Sequence, residues 1–126
     1  MDKIFTIGYG GKNPDGFLRS LKDNNIDLVA DVRISPRCGW SSIFSKEGLQ
    51  RFLNAVGIDY TWIKELGNTT KSIDDIKLLD EKTGLDLLRK LGDEYHRIVL
   101  LCSEKDAVRC HRKYVADKLG VEVIHL

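Results

Sequence analysis

Ile4-Phe5-Thr6-Ile7-Gly8-Tyr9-Gly10-Gly11, followed by Asn13-Pro14 and then by Leu28-Val29-Ala30-Asp31-Val32, is the stretch from which the fold can be read. Its first four residues are β-branched or aromatic, which suits a pleated strand, and the glycines end the run. Asn13 has the side chain of a helix N-cap, and Pro14 fits a first helical position, where its missing N–H has no partner to lose. Phe17, Leu18 and Leu21 then share one helical face. Leu28 to Val32 is almost wholly apolar, the composition of a strand covered on both faces. Strand, helix and strand in this order predict a βαβ unit with parallel strands.

The alternation continues along the chain. Leu49, Phe52, Leu53 and Val56 recur at helical spacing before Gly57, and Tyr60-Thr61-Trp62-Ile63 has strand composition. Lys64 to Thr83 is polar, with Ile73, Ile76 and Leu79 spaced for a short helix, and Leu85, Leu88 and Leu91 form the face of another. Ile98 to Leu101 is an apolar strand. Ser103 and Asp106 have capping-box spacing, which predicts a last helix from Glu104 with Val108, His111, Val115 and Leu119 on one face and Gly120 as its cap. Val121 to Ile124 closes the sequence as a fifth strand. The reading is an α/β fold: one three-layer domain over residues 1–126, with a mostly parallel five-stranded sheet and helices on both faces.

Composition narrows the function classes. Apolar residues make up 42% of the 126 and charged ones 31%, enough for one packed core under a solvated surface. A formal charge of +1 gives no global field for a polyanion, so nucleic-acid contact would have to come from a local cluster of Arg and Lys. Cys38, Cys102 and Cys110 are odd in number and widely spaced, which predicts free thiols in a reducing compartment and hence a cytoplasmic protein. No signal-peptide pattern and no run of ~18 apolar residues is present, so no membrane association is expected. Nothing in the sequence fixes an oligomeric state.

In parallel sheets ligands bind beyond the carboxyl ends of the strands, which directs attention to the loops after the first, second and fourth strands. These carry Gly8-Tyr9-Gly10, Asp31 with Arg33, and Cys102-Ser103-Glu104. Cys102 at the start of a helix would ionise easily, and the helix's unpaired N–H groups with Arg33 or Arg112 would suit an anion. Buried packing cysteines are also common, and both readings of Cys102 stand. Cys110, His111 and Arg112 are adjacent, and ~100° per helical residue keeps the three from facing one substrate together. His111 is either a hydrogen-bonded core histidine or a general acid–base group, and Arg112 either an anion binder or a surface residue. Arg33 and Arg37 with Trp40 form a basic, aromatic loop expected to act as a mobile lid from Arg33 to Ser45, and Glu65 after the third strand adds a carboxylate.

No cofactor is expected. A zinc site would recruit Cys102, Cys110, His111 and Glu104, but seven residues separate the cysteines where structural sites leave ~2 to 4. Gly8-Tyr9-Gly10-Gly11 begins like a dinucleotide loop, yet its third glycine position is Asn13. A Cys-x5-Arg phosphate loop starting at Cys102 would need Arg where the chain has Val108.

Thr6-Ile7-Gly8-Tyr9, Asp31-Val32-Arg33, Pro36-Arg37 with Phe44 downstream, Glu65-Leu66-Gly67, and Cys102-x-Glu104 followed by Cys110-His111-Arg112 together resemble the family catalogued as domain of unknown function 488. The resemblance implies a shared α/β domain and a shared site, without an assigned activity. The chain departs from the family pattern at Tyr9, where members often have His, at Lys64, where Pro is common, and at Asn68, where Gly is frequent. Two functions follow as expectations. One is an enzyme acting on a small anionic or nucleotide-like substrate, with Cys102 as nucleophile or thiol ligand, Glu104 moving protons, His111 positioning or exchanging a proton, Arg33 and Arg112 holding the anion, and Gly8, Tyr9, Gly10, Asp31, Arg37, Glu65 and Cys110 completing the site. The other is a non-catalytic module for nucleic acid or a phosphorylated ligand.

Overall fold

The computed structural model describes residues 1–39 and 41–126, all but Val108 with their side chains. Trp40, read above as part of the basic loop, lies outside the described residues. Strands β1 (Lys3–Gly8), β2 (Leu28–Asp31), β3 (Asp59–Trp62), β4 (Ile98–Cys102) and β5 (Glu122–His125) alternate with helices α1 (Pro14–Asp23), α2 (Lys46–Asn54), α3 (Glu81–Glu94) and α4 (His111–Lys118). The strands form one sheet in the order β3-β2-β4-β1-β5, and every neighbouring pair is parallel. The expected α/β architecture is the observed one.

Strand alternation divides the core between the two faces of the sheet. Phe5 and Ile7 of β1, Val29 of β2, and Val99 and Leu101 of β4 pack with Phe17 and Leu21 of α1 and Leu49 and Leu53 of α2. Ile4, Leu28, Ala30, Ile98, Leu100 and Cys102 turn the other way, toward Leu85 and Leu88 of α3 and Val115 and Ala116 of α4. Burying a Phe or Leu side chain is worth about 1.5–3 kcal/mol, so these two layers are the main source of stability. Asn13 caps α1 as expected, its side-chain oxygen accepting from the Gly16 N–H at 2.7 Å.

The register sets the site. Ile7 pairs with Leu101 and Gly8 with Cys102, while Asp31 pairs with Leu101 from the other side. The loops after β1, β2 and β4 therefore leave the sheet side by side. The chain after β1 enters α1 on one face and the chain after β4 enters α4 on the other, which opens a crevice between them.

Four expectations are corrected. Residues Ile73, Ile76 and Leu79 form no helix: Asn68 Oδ1 accepts from the N–H groups of Thr70 and Lys77, and a bridge between Asn68 and Leu78 folds the segment back. Local side-chain bonds to the backbone thus outcompete a weak helical period. The last helix begins at His111 and not at Glu104, after a short 3₁₀ turn at Ala107–Arg109, and the Ser103–Asp106 capping box does not form. Cys102 is therefore not at a helix start. It is joined to Cys110 in a disulfide, leaving Cys38 as the free thiol, so the cysteine count no longer argues for a reducing compartment. Finally, the segment after Arg33 is tied down at its far end: Phe44 is fully buried, stacked on Tyr9 with ring centroids 4.9 Å apart, and its carbonyl accepts from Arg33 Nη1 at 2.7 Å. No helix among the described residues is long and apolar enough to cross a membrane.

Candidate functional site

Cys102 is the last residue of the central strand β4, and the chain beyond it is clamped from two directions. On one side, Gly10 N–H donates to the Ser103 carbonyl at 2.8 Å and Tyr9 N–H to the Cys102 carbonyl at 3.3 Å. This requires glycine, because a Cβ at Gly8 would overlap the Glu104 carbonyl and one at Gly10 would press on the Ser103 carbonyl. On the other side, Arg112 reaches back from α4, donating to the carbonyls of Glu104 at 2.7 Å and Lys105 at 3.2 Å and to Thr6 Oγ1 at 3.3 Å. Arg112 is fully buried, a state that neither sequence alternative included, and burial lowers its pKa despite the Glu104 and Asp106 carboxylates. Held in this way, residues 103–109 reverse and bring Cys110 back to Cys102, with their Cα atoms 6.8 Å apart.

His111, the first residue of α4, lies directly against the pair. Its Nδ1 is 3.7 Å from Cys102 Sγ and 4.0 Å from Cys110 Sγ, and its Nε2 is 2.7 Å from the Val32 carbonyl. A carbonyl can only accept, so Nε2 carries the proton and the Nδ1 lone pair faces the two sulfurs. Burial pushes the imidazole below its ordinary pKa, against the raising effect of the Val32 and Leu66 backbone bonds. The spacing argument against a metal does not survive the fold: the donor atoms of Cys102, Cys110 and His111 lie within 4.8 Å of one another.

Asp31 and Arg33 form the neighbouring network. Arg33 meets the fully buried Asp31 carboxylate with Nε at 2.9 Å and Nη2 at 2.6 Å, and Asp31 also accepts from Tyr60 Oη at 2.6 Å. Burial opposes the charge on Arg33, but the two-pronged contact with Asp31 outweighs it and the pKa is raised. Burial and then the Asp31 charge raise Tyr60 as well. The Arg33 guanidinium lies 5.2 Å from the centre of the Tyr9 ring, which fixes Tyr9 between Arg33 and Phe44.

Between these groups lies a cavity of about 300 Å³. Its floor is Cys102, Cys110 and His111, and Tyr9, Arg33 and Ser103 form the inner wall. The rim holds Arg37, Lys71 and Arg109 against a single carboxylate, Glu104, so with Arg33 neutralised by Asp31 the wall is net positive. Of the residues singled out from sequence, the fold brings Tyr9, Arg33, Arg37, Cys102, Glu104, Cys110 and His111 into the cavity lining. Gly8, Gly10, Asp31 and Arg112 stand behind it and hold its loops, and Glu65 is not among the lining residues.

Lys71, Asn68 and Arg109 line the cavity without having been singled out as site residues. Arg109 sits in the 3₁₀ turn that replaces the expected helix. Asn68 and Lys71 come from the misread segment, where Lys71 has φ +59°.

These features define an all-parallel α/β domain with a cysteine pair and a histidine at the strand ends, under a cationic rim. The chain belongs to the family described as Domain of unknown function DUF488, which matches residues 13–119. No curated protein matches it.

Proposed function

We propose that this chain is a thiol-dependent enzyme for a small anionic substrate, with Cys102 and Cys110 as a dithiol–disulfide centre. The observation that carries the reading is the placement of that pair beside the His111 lone pair, at the floor of a cavity whose rim is Arg37, Lys71 and Arg109. A volume of about 300 Å³ is at the small end for ligand sites, which favours a compact anion over a nucleotide. Disulfides in the cytoplasm are mostly transient and catalytic, so the pairing is compatible with that location.

The chemistry starts from the reduced pair. Nδ1 of His111 accepts the Cys102 thiol proton, and the thiolate attacks one sulfur of an anionic disulfide substrate. The substrate S–S bond breaks, its leaving sulfur departs with the bonding electrons and takes up a proton, and Cys102 is left in a mixed disulfide. The Cys110 thiolate then attacks Cys102 Sγ, forming the Cys102–Cys110 bond and expelling the second substrate thiol. Two electrons have passed from the protein to the substrate, and a dithiol reductant restores the starting state. Arg37, Lys71 and Arg109 hold the substrate charge, Glu104 passes protons at the rim, and Arg33 and Arg112 hold the loops.

The test is stoichiometric exchange of the reduced chain with two disulfides of similar size, anionic bis(carboxyethyl) disulfide and neutral bis(hydroxyethyl) disulfide. Cys38→Ser serves as the background and a metal chelator is present. Cationic clefts raise encounter rates by ~10–10³, so the anion is expected to react faster by about tenfold or more, and salt should narrow the gap. Replacing Arg37, Lys71 and Arg109 together by Ala should bring the ratio near unity. Equal rates for both reagents in the unaltered rim contradict anion selection.

A further inference from the structure

The Cys102, Cys110 and His111 group has a second capacity that disulfide exchange does not use. Four-coordinate zinc takes sulfur at ~2.3 Å and imidazole nitrogen at ~2.0–2.1 Å, so neighbouring donors stand roughly 3.5–3.8 Å apart. His111 Nδ1 is 3.7 Å from one sulfur and 4.0 Å from the other, so two edges of the donor triangle are already close to that size. The third edge is the disulfide itself, and reduction frees the sulfurs to separate.

The surroundings suit a metal ligand. Metal-binding imidazoles characteristically donate their second ring N–H to a carbonyl or carboxylate, which fixes the ring and aims the other nitrogen. His111 does this with the Val32 carbonyl at 2.7 Å. Two thiolates and a neutral imidazole also cancel the charge of a divalent ion, which suits a group in which Cys102, Cys110 and His111 are all buried.

We propose that the reduced chain binds one soft divalent cation of the zinc class through the thiolates of Cys102 and Cys110 and through His111 Nδ1, with a fourth position open to the cationic cavity. Binding to the dithiol releases two protons and transfers no electrons. From the disulfide, a phosphine or dithiol reductant must first supply two electrons, with two protons from water, so the site exists in one redox state only. Three protein donors and one open position resemble catalytic more than structural zinc, and the open position faces Arg37, Lys71 and Arg109, where an anionic ligand would be held. This goes beyond the exchange reading and does not depend on it.

The experiment is an anaerobic titration of the full chain with Co²⁺ alone, before and after phosphine reduction. The reduced chain should take up one equivalent, with a thiolate-to-cobalt charge-transfer band and the intense visible bands of four-coordinate cobalt, and one equivalent of Zn²⁺ should remove them. Cys102→Ser, Cys110→Ser and His111→Ala should each weaken binding by more than the ~10–100-fold that loss of an outer partner costs, while Cys38→Ser leaves it unchanged. The oxidised chain has the same sequence and should show no band, a control that holds even where a variant fails to fold. Absence of a stoichiometric band after reduction, a band equally strong in the oxidised chain, or a band lost in Cys38→Ser overturns the proposal. The exchange experiments contain a chelator, so failure of the metal site and failure of the thiol centre are read separately.

Discussion

Replacing Asp31 by Ala is expected to destabilise the domain by about 3–5 kcal/mol, the usual cost of leaving a buried charge without its partner. The Asp31 carboxylate is 0% exposed and accepts from Arg33 Nε, Arg33 Nη2, the Arg33 N–H and Tyr60 Oη. Removing it leaves the Arg33 guanidinium, itself 5% exposed, with the Phe44 carbonyl but without the carboxylate that balances its charge. Domains of this kind have total stabilities of ~5–15 kcal/mol, so the variant should unfold at a much lower urea concentration. The control is the double variant Asp31→Ala/Arg33→Leu, in which no charge is left behind and part of the loss should be recovered. A single variant within about 1 kcal/mol of the parent, or a double variant no more stable than the single one, would show that the pair is solvated and worth little.

The second large effect is expected at Gly8. A Cβ there would overlap the Glu104 carbonyl and come within 3.0 Å of Arg112 Nη1. Neither neighbour yields cheaply: the carbonyl is backbone, and Arg112 Nη1 holds it at 2.7 Å. Overpacking usually costs ~1–3 kcal/mol, and Gly8→Ala should lie at or above the top of that range because the obstruction is main chain. The same displacement should move residues 103–109 and slow closure of the Cys102–Cys110 disulfide. Gly39→Ala is the matched control, since a Cβ there meets nothing within 4 Å, and it should change stability by less than about 0.5 kcal/mol. Equal urea midpoints for the two variants would mean that the loops after β1 and β4 do not touch as described.

How far the sequence could be read depended on how local the determining interaction is. Strands β1, β2 and β4 were legible because each is a run of apolar residues packed on both faces, and α1 because Asn13 and Pro14 act within one helical turn. The start of α4 was not, because Arg112 binds the carbonyls of Glu104 and Lys105 and so holds residues 103–106 out of the helix that Ser103 and Asp106 would otherwise cap. The same reversal creates the cysteine pair. Seven residues lie between Cys102 and Cys110, and the reversal that includes the 3₁₀ turn at Ala107–Arg109 brings the two together in space. Arg112 itself was misjudged because a sequence offers no sign that a cation will be buried on backbone carbonyls.

The candidate site was legible by position more than by role. Parallel strands put Tyr9, Arg33 and Cys102 on one edge, and the apolar pattern of the strands was enough to foresee it. The cationic rim was foreseen only in part. Arg37 was recognised, but Lys71 and Arg109 come from segments whose course depends on Asn68 and on Arg112.

The most direct measurement of the central claim is catalytic turnover of bis(carboxyethyl) disulfide by the full chain, with excess dithiol reductant and a metal chelator. The rate is compared with that of the reductant alone. A dithiol–disulfide centre predicts turnover that is kept in Cys38→Ser and lost in both Cys102→Ser and Cys110→Ser. A rate no greater than the reductant's own, or equal rates in the parent and in the Cys102→Ser/Cys110→Ser double variant, would contradict it.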